Sequence, residues 1–581
     1  MITEFDTFGG MNRRVKREAI APDCYDQVNV TNDVEGVLAS RPPDDLLSTE
    51  SGAVLGLHSP YLSGTRYRLK KVGDTLYSDG TSLSSSFGGT SFLRALEYLD
   101  MCFMCDGVVN KKWNGTDLQE WGIAPPTVKC SVTSTVAGNL DGTYYYYYAY
   151  YNSTTGHRSK ISPISDSVTV SSDKVDLSDL AESADTQVSH ILVYRIGGTL
   201  STINYVDSIV NGTTVYVDDI ADTTVAGQEV LSSTEPEQPP VFWLVERVQN
   251  MIYGVTGRLL YYFKPGEPES CPSSYYEDLG ETINGLAQYN NELIIFTKSR
   301  IIRLVRVGVN PGDFLLQDTF AETGTLSPYA CVQTPYGVFY LDAHKRLGVI
   351  RGGVFSDIGI KLQPLLDGIK SPELCWGAFY KSRYYMSYCE SSGFSTPNKV
   401  LVVDCSYPPI GSRISTYDWN ANVMHKERES NLFLIGENTG KILIEGIGVE
   451  PSYFRTITWD EPCKATRRRK VFKHVVFDIN TNGDPVCIQY YTDDNSSNKR
   501  VININTTGRE KVSKALEASA EGYRLHFDIR YITTEAQAIL SDSTEHKTDT
   551  TTIVTTGQDT TIEIGLKIYG ISVEYEYSSE L

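Results

Sequence analysis

Along most of this 581-residue chain the same hairpin pattern recurs. Each occurrence has an apolar run that alternates with polar residues, then a tight polar turn, then a second such run. Because side chains alternate faces along a strand, and short polar turns join antiparallel neighbours, the pattern predicts β-hairpins. The hairpins cover residues 66–80, 101–121, 250–266, 288–306, 334–353, 380–404 and 431–446.

The spacing of these hairpins indicates an architecture. Four-stranded units that repeat every ~40 to 50 residues are typical of a β-propeller, although a sandwich or an irregular β-solenoid would give similar hairpins. The 38 Tyr and 47 Gly residues belong to a folded, β-rich composition rather than a disordered one. We therefore predict an all-β chain built around a β-propeller, divided into three or four domains because of its length.

A differently built segment interrupts the hairpins. Proline pairs stand at Pro125-Pro126 before it and at Pro239-Pro240 after it, as at a domain edge. Residues 126–235 contain 5 basic and 13 acidic residues, a net charge of −8, and several strand-like runs. The predicted domains are an N-terminal arm with the first part of the propeller (1–125), an inserted β-sandwich (126–236), the rest of the propeller (237–450) and a C-terminal β-sandwich (451–581).

The inserted segment contains an unusual run of aromatic residues. Seven of the eight residues from Tyr144 to Tyr151 are tyrosine. Alternate tyrosines of a strand face opposite sides, so one set belongs to the core and the other forms an aromatic stripe of the kind found at protein interfaces. The sequence does not decide which set faces outwards. The alternative to an exposed stripe is a strand whose two faces are both covered by neighbouring loops. The candidate subunit-interface residues are Tyr145, Tyr146, Tyr147 and Tyr148.

The chemical motifs of common enzymes are absent from the sequence. There is no nucleophile elbow, no His-Glu-x-x-His and no phosphate-binding loop, and the eight histidines have no ligand spacing. Cys102 and Cys105 form a C-x-x-C without a second pair, which favours a buried structural pair over zinc. We expect no enzymatic activity, no cofactor and no metal.

The charge and the cysteines restrict the environment and the partners. A net charge of −20 is unfavourable for tight binding of nucleic acid, which requires basic residues to neutralise phosphates. Residues 1–22 contain no apolar leader segment and no run approaches the ~20 apolar residues of a membrane span. We expect assembly in a reducing cytoplasm, with the 11 cysteines as free thiols.

One basic run stands out in this acidic chain. Arg467, Arg468, Arg469 and Lys470 precede a predicted strand. Such a run is a candidate contact for DNA phosphates or for an acidic partner protein, and a solvated strand end is the alternative.

Several stretches together resemble one family, the tail nozzle or tail hub proteins of short-tailed bacteriophages, also called tail tubular or packaged-DNA stabilisation proteins. The opening NVTNDVEGVLASRP is similar to the start of that family, except that Pro43 stands where the family usually has glycine. The inserted segment resembles its fibronectin-III-like modules, and the later hairpins resemble its propeller hairpins. The matching stretches are residues 29–42, 143–165, 190–198, 213–219, 259–272 and 283–304.

The resemblance implies a fold and a role. The fold is a β-propeller interrupted by a fibronectin-III-like sandwich and followed by a C-terminal β-sandwich. The role is that of a structural virion protein, a ring-shaped nozzle or hub that closes and conducts the channel for genome ejection. The implied partners are further copies of the chain, as a homohexamer, the adaptor and portal side of the tail, tail fibre or spike proteins, and genomic DNA that passes without tight binding.

Two other functions are compatible with the residues. A carbohydrate-binding adhesin would use exposed tyrosines to stack on sugars, but in a pocket rather than along one strand. A degenerate glycosidase on a propeller would need a pair of carboxylates on either side of a sugar, and the sequence does not pair them in space.

Overall fold

The computed structural model describes residues 2–5, 11–13, 26–31, 38–41, 44–232, 235–319, 321, 323–391, 393–406, 410–411, 413–446, 452–456, 469–483, 485–493, 499–517, 520–522, 525–531 and 567–577. The all-β prediction is confirmed, since strands dominate these residues. Helical turns are short, at Asp222–Val225, Ile360–Leu362, Gln363–Gly368 and Pro372–Leu374. The chain divides into two compact units, one comprising Met1–Leu57 with Phe320–Leu581 and the other His58–Thr319. None of the helices in the described part of the chain is long and apolar enough to cross a membrane.

The unit His58–Thr319 contains four antiparallel meanders, in which strands pair in chain order. The first has the strands Leu69–Val72, Thr75–Ser78 and Thr81–Ser84, and the second Arg94–Tyr98, Met101–Cys105, Asn110–Trp113 and Leu118–Glu120. The third has Leu244–Val248, Met251–Thr256, Leu259–Tyr262 and Tyr276–Asp278, and the fourth Gly285–Tyr289, Glu292–Phe296, Ile301–Arg306 and Phe314–Asp318. A small hairpin of Tyr61–Leu62 with Thr65–Arg66 precedes them, and strand Val54–His58 runs across the division between the units.

Local sequence explains the hairpins. Asn290 and Asn291 have φ values of 50° and 63° and join Tyr289 to Glu292, its partner across the turn. A two-residue turn with positive φ at both residues has a twist that matches the strands it joins. Asn adopts positive φ readily. The two cysteines of the C-x-x-C motif lie on one strand, fully buried, and face two different hydrophobic clusters, so they do not form a shared ligand pair.

The inserted segment forms one five-stranded antiparallel sheet. Its strands, in spatial order, are Leu200–Val210, His190–Gly197, Ser131–Tyr151, Val168–Ser178 and Tyr216–Asp218. The long central strand is bulged between Val136 and Leu140, which both pair with Asp173. Bulges bend strands, and residues on both sides of this bend pack on the same core.

The other unit contains three more meanders. The fifth has Val332–Thr334, Gly337–Leu341, Leu347–Arg351 and Val354–Asp357, and the sixth Gly377–Tyr380, Arg383–Tyr388, Lys399–Asp404 and Arg413–Tyr417. The seventh has Ala421–Lys426, Phe433–Glu437 and Lys441–Glu445, and its outer strand is Asp44–Thr49 from the N-terminal part of the chain. The last meander of the chain is therefore completed by a segment almost 400 residues away in sequence.

Two packed sheets follow in the same unit. One contains Ile2–Phe5, Val30–Thr31, Leu38–Ser40, Lys470–Asn480, Glu510–Ala515, Glu521–Gly522 and Lys567–Tyr577. The other continues from the sixth meander through Asp26–Val28, Ser452–Thr456, Leu525–Tyr531, Val486–Thr492 and Arg500–Ile504, nine strands in all. Alternate apolar residues of both sheets form one core.

The N-terminal residues Asn29 and Arg41 have a structural role. The Arg41 guanidinium donates to Asn29 Oδ1 at 3.0 Å and to Asp44 Oδ1 at 3.0 Å. It also lies over the rings of Tyr417 and Trp419, at 5.2 and 5.0 Å. The buried arginine thus contacts two polar side chains and two aromatic rings. These contacts join the N-terminal segment to the end of the sixth meander.

Candidate interaction surface on the inserted sheet

The tyrosine strand separates into two faces. Tyr144, Tyr146 and Tyr148 are at most 1% exposed and Tyr150 is 7% exposed, all in the core of the inserted sheet. Each of their hydroxyls has a partner, because a buried phenol without a hydrogen bond would be unfavourable. The acceptors are Asp141 O and Asp222 for Tyr144, Asp218 for Tyr146, Val128 O for Tyr148 and Ala181 O for Tyr150.

A buried arginine joins two of these acceptors. Arg195 is fully buried and makes ion pairs with Asp218 and, at 2.9 Å, with Asp222. Its guanidinium also lies 5.1 Å from the centre of the Tyr144 ring. Burial and the neighbouring carboxylate raise the pKa of Tyr144 to about 12, and the pKa of Tyr146 is raised further for the same reasons. The inward tyrosines are thus neutral hydrogen-bond donors that hold the sheet.

Three serines form hydrogen bonds with the backbone groups at one edge of the same strand. The segment RSKISPIS has a serine at every third position, and each serine meets one inward tyrosine. The serine N–H donates to the tyrosine carbonyl, and the serine hydroxyl accepts from the tyrosine N–H. The pairs are Ser159 with Tyr150, Ser162 with Tyr148 and Ser165 with Tyr146, at distances between 2.7 and 3.0 Å. We call this arrangement the serine ladder.

The opposite side of the sheet, called here the tyrosine face, carries Tyr145, Tyr147, Tyr194 and Tyr205. Tyr145 is 36% exposed, whereas Tyr147 is half-buried and Tyr194 is buried. The segment around Leu231 and the side chain of Ile161 pack over part of this face. Burial raises the pKa values of Tyr147 and Tyr194, and the negative charge of Glu235 near both rings and of Glu229 near Tyr194 raises them further. The tyrosine face is therefore partly covered, acidic at its border and open at Tyr145.

These positions correct the list of candidate interface residues. Tyr146 and Tyr148 are fully buried, so their rings are not available to a neighbouring subunit. The outward set is the odd-numbered one, because the register between Tyr144 and Tyr151 has no irregularity and the even set is held by the core. Tyr145 is the exposed candidate, with Tyr147 beside it.

The basic run at the start of the C-terminal sandwich is only partly visible. Arg467 and Arg468 lie outside the described residues. Arg469 lies 3.9 Å from Glu521, and Lys470 is 1% exposed with its ammonium over the ring of Tyr575. Lys470 is therefore not a surface contact for an adaptor or for DNA, since strand pairing with Gly522 and Tyr577 holds it inside the sandwich.

The inserted sheet contacts the second meander of its own unit. Lys112 of the second meander forms a buried ion pair with Glu269 of the third. Burial and the cations Lys112 and Arg158 lower the pKa of His157, in the loop before the serine ladder, to about 3. The side-chain amide of Gln187 donates to Gly122 O at 3.0 Å. The inserted sheet therefore contacts the neighbouring part of its unit through Gln187 and the surroundings of His157.

Sequence reasoning missed this network because its members are far apart in the chain. Arg195, Asp218 and Asp222 carry no motif, and the signal that was available is an isolated arginine in the apolar run HILVYRIGG. Among the described residues, no three His, Cys, Asp or Glu side chains come together as a metal site.

Comparisons with known proteins give little further information. No protein-family model matches the chain, and no curated protein is similar to it. Among solved structures, the chain is similar to PorZ, a bacterial surface component of the type-IX secretion system of Porphyromonas gingivalis, with 10% identity and a TM-score of 0.32. The match covers 79% of this chain and 46% of PorZ, so this chain spans about half the length of that protein. A likeness this weak carries no argument about function.

Proposed function

We propose that this chain is a structural virion protein that forms a ring-shaped nozzle or hub of a short phage tail. The sequence resemblance to tail nozzle proteins is one support. The other is physical, since the exposed part of the tyrosine face is an aromatic surface, which is the kind of surface that subunits of a ring use. This face is the observation on which the proposal depends.

The same proposal includes the finer fold. In it, the meanders are blades of a β-propeller, the inserted sheet is a fibronectin-III-like module and the terminal sheets are a separate sandwich. What supports the propeller is the seventh meander, whose outer strand Asp44–Thr49 comes from the N-terminal part of the chain. Combining early and late strands in one blade is an efficient way to leave only short, protected edges in a ring of blades.

In the proposed ring, DNA passes through the centre without being held. Duplex DNA carries one charge per roughly 1.7 Å of its axis, so a basic lumen would retain it through many phosphate contacts. The net charge of −20 favours sliding over retention. The ring is part of the virion, is assembled in the host cytoplasm as a homohexamer and contacts the adaptor on one side and fibre or spike proteins on the other.

Light scattering and negative-stain imaging of the purified chain, alone and with its adaptor, test the proposal. We expect closed rings with a central hole, of about six copies, in at least one of the two conditions. A monomer in both would contradict the proposal.

The Tyr145→Ser variant tests the surface itself. We expect weaker assembly with the fold intact, because Tyr145 is 36% exposed and lies outside the buried core. Tyr61→Ser is the matched control, since Tyr61 is 41% exposed and lies in a hairpin outside the inserted sheet. Assembly of the control should equal that of the unchanged chain.

A further inference from the structure

A second exposed apolar surface lies on the fourth meander. Between strands Ile301–Arg306 and Phe314–Asp318, the chain forms a loop, residues 307–313, that we call the valine loop. Val307 is 60% exposed and Val309 is 85% exposed, and in the strand that follows, Leu315 and Leu316 are 50% and 38% exposed. Single exposed apolar residues are ordinary, but four within ten positions of one loop and its edge strand make this segment a candidate interaction site.

The valine loop is held in place by its own polar contacts. The Arg306 guanidinium donates to Asn250 Oδ1 at 3.0 Å and to the carbonyls of Gly308 and Val309 at 3.3 Å. Asp313 accepts hydrogen bonds from the backbone and side-chain N–H groups of Asn310, at 3.0 and 2.9 Å. A braced loop loses little conformational entropy when it binds, so its two valines are prepared to enter a complementary surface.

Charge identifies the kind of surface that would accept this loop. The fourth meander, residues 285–318, has four basic and three acidic residues and hence a net charge of +1, in a chain of net charge −20. The inserted segment, with 5 basic and 13 acidic residues, has a net charge of −8. Glu229 and Glu235 border its tyrosine face, and Arg306 stands at the base of the valine loop. Opposite potentials of this kind favour association in a defined register.

We propose that the valine loop of one copy of the chain packs on the tyrosine face, around Tyr145, of the neighbouring copy. The inference rests on the proposed ring and names the two surfaces that build it. The two surfaces differ, so the contact is heterologous, and a heterologous contact that closes generates a cyclic oligomer. Each copy then uses its valine loop on one side and its tyrosine face on the other.

The first experiment removes the apolar contact from the valine loop. A Val307→Ser/Val309→Ser chain keeps Arg306, Asn310 and Asp313, and therefore the brace of the loop. Burial of two valines contributes roughly 3 kcal/mol, which corresponds to about a 100-fold loss in affinity between copies. The matched control is Val354→Ser/Val501→Ser, two valines that are 58% and 54% exposed in the other unit. Sedimentation velocity should show smaller species for the first variant and unchanged rings for the control.

The second experiment tests which surfaces meet. A chain that carries both Tyr145→Cys and Val309→Cys is assembled and treated with a short bismaleimide cross-linker. The cysteines that the structure describes are buried or half-buried. The cross-linker should therefore react with the two introduced thiols rather than with these cysteines. We expect a covalent ladder of dimers, trimers and higher species on a denaturing gel. Replacing Tyr145→Cys by Tyr61→Cys should abolish the ladder.

The outcomes separate the inference from the proposed function. Rings that form normally with Val307→Ser/Val309→Ser, or that give no covalent ladder, would overturn the contact while leaving the ring in place. A monomeric wild-type chain, alone and with its adaptor, would instead overturn the ring and the contact together.

Discussion

Arg195 is the residue on which the core of the inserted sheet most depends. Its charge is fully buried between Asp218 and Asp222, and the same carboxylates accept the hydroxyls of Tyr146 and Tyr144. Removing one member of a buried ionic group leaves the others without compensation, which is far more costly than losing a surface pair.

The Arg195→Met substitution should therefore lower the free energy of unfolding by about 3 to 5 kcal/mol. Two carboxylates would remain in the core without their cation. Lys129→Met is the control, because Lys129 and its partner Asp166 are 49% and 82% exposed, and it should cost less than about 1 kcal/mol. Urea denaturation followed by fluorescence measures both. Equal, small losses would show that the network is not a stabilising unit.

The buried tyrosines predict a loss of stability at high pH. Burial raises the pKa of Tyr144 and Tyr150 from 10 to about 12. Above pH 10 the unfolded chain releases these protons while the folded chain retains them, so the stability present below pH 10 falls as the pH rises towards 12. Tyrosinate absorbance and circular dichroism, recorded together, should show these tyrosines ionising late and with unfolding. Ionisation of all tyrosines near pH 10 without loss of structure would contradict this.

At the scale of elements, the serine ladder explains why the tyrosine run is followed by RSKISPIS. Pro163 has no N–H group and is unsuited to an ordinary inner strand. Serines at every third residue supply both a backbone donor and a side-chain acceptor to the tyrosine strand, so its edge is satisfied without a regular neighbouring strand. An edge closed in this way is also protected from pairing with other chains.

Ser162→Ala should lower the free energy of unfolding by about 1 to 3 kcal/mol. The substitution leaves the N–H of Tyr148 without the acceptor that lies 3.0 Å away, at a buried position. Ser201→Ala, at an exposed strand position of the same sheet, serves as the control and should change stability by less than about 0.5 kcal/mol. Hydrogen exchange at the Tyr148 amide measures the local effect, and unchanged protection there would show that the ladder contributes nothing.

At the scale of the whole molecule, the net charge of −20 bears on the cargo of the proposed ring. A protein this acidic neutralises few phosphates, so long-range electrostatics oppose its binding to duplex DNA. The one basic run, 467–470, has at least one member, Lys470, inside the terminal sandwich.

We expect negligible affinity of the isolated protein for duplex DNA at physiological salt. Fluorescence anisotropy with a labelled duplex, repeated over a range of salt concentrations, measures it. The variant in which residues 467–470 are changed to Ser should behave like the unchanged chain in this assay. Tight binding with a steep salt dependence would contradict the passive conduit, because phosphate contacts release counterions.

Local sequence was sufficient for the strands and turns of this protein. The hairpin around Asn290-Asn291 and the alternation of Tyr144 to Tyr151 follow from the preference of Asn for positive φ and from the two-residue period of a strand. The all-β class follows from the same kind of information, since the alternation that indicates strands depends on neighbours in the chain.

Long-range packing settled the rest. Tyr146 faces the core and Tyr145 does not, because Arg195, Asp218 and Val128 lie on one side of the sheet, and a two-residue period alone cannot name that side. The use of Asp44–Thr49 as the outer strand of the seventh meander is likewise invisible locally. Strand pairing joins residues without regard to their separation in sequence, so the partners of an edge are determined only when the whole unit has folded.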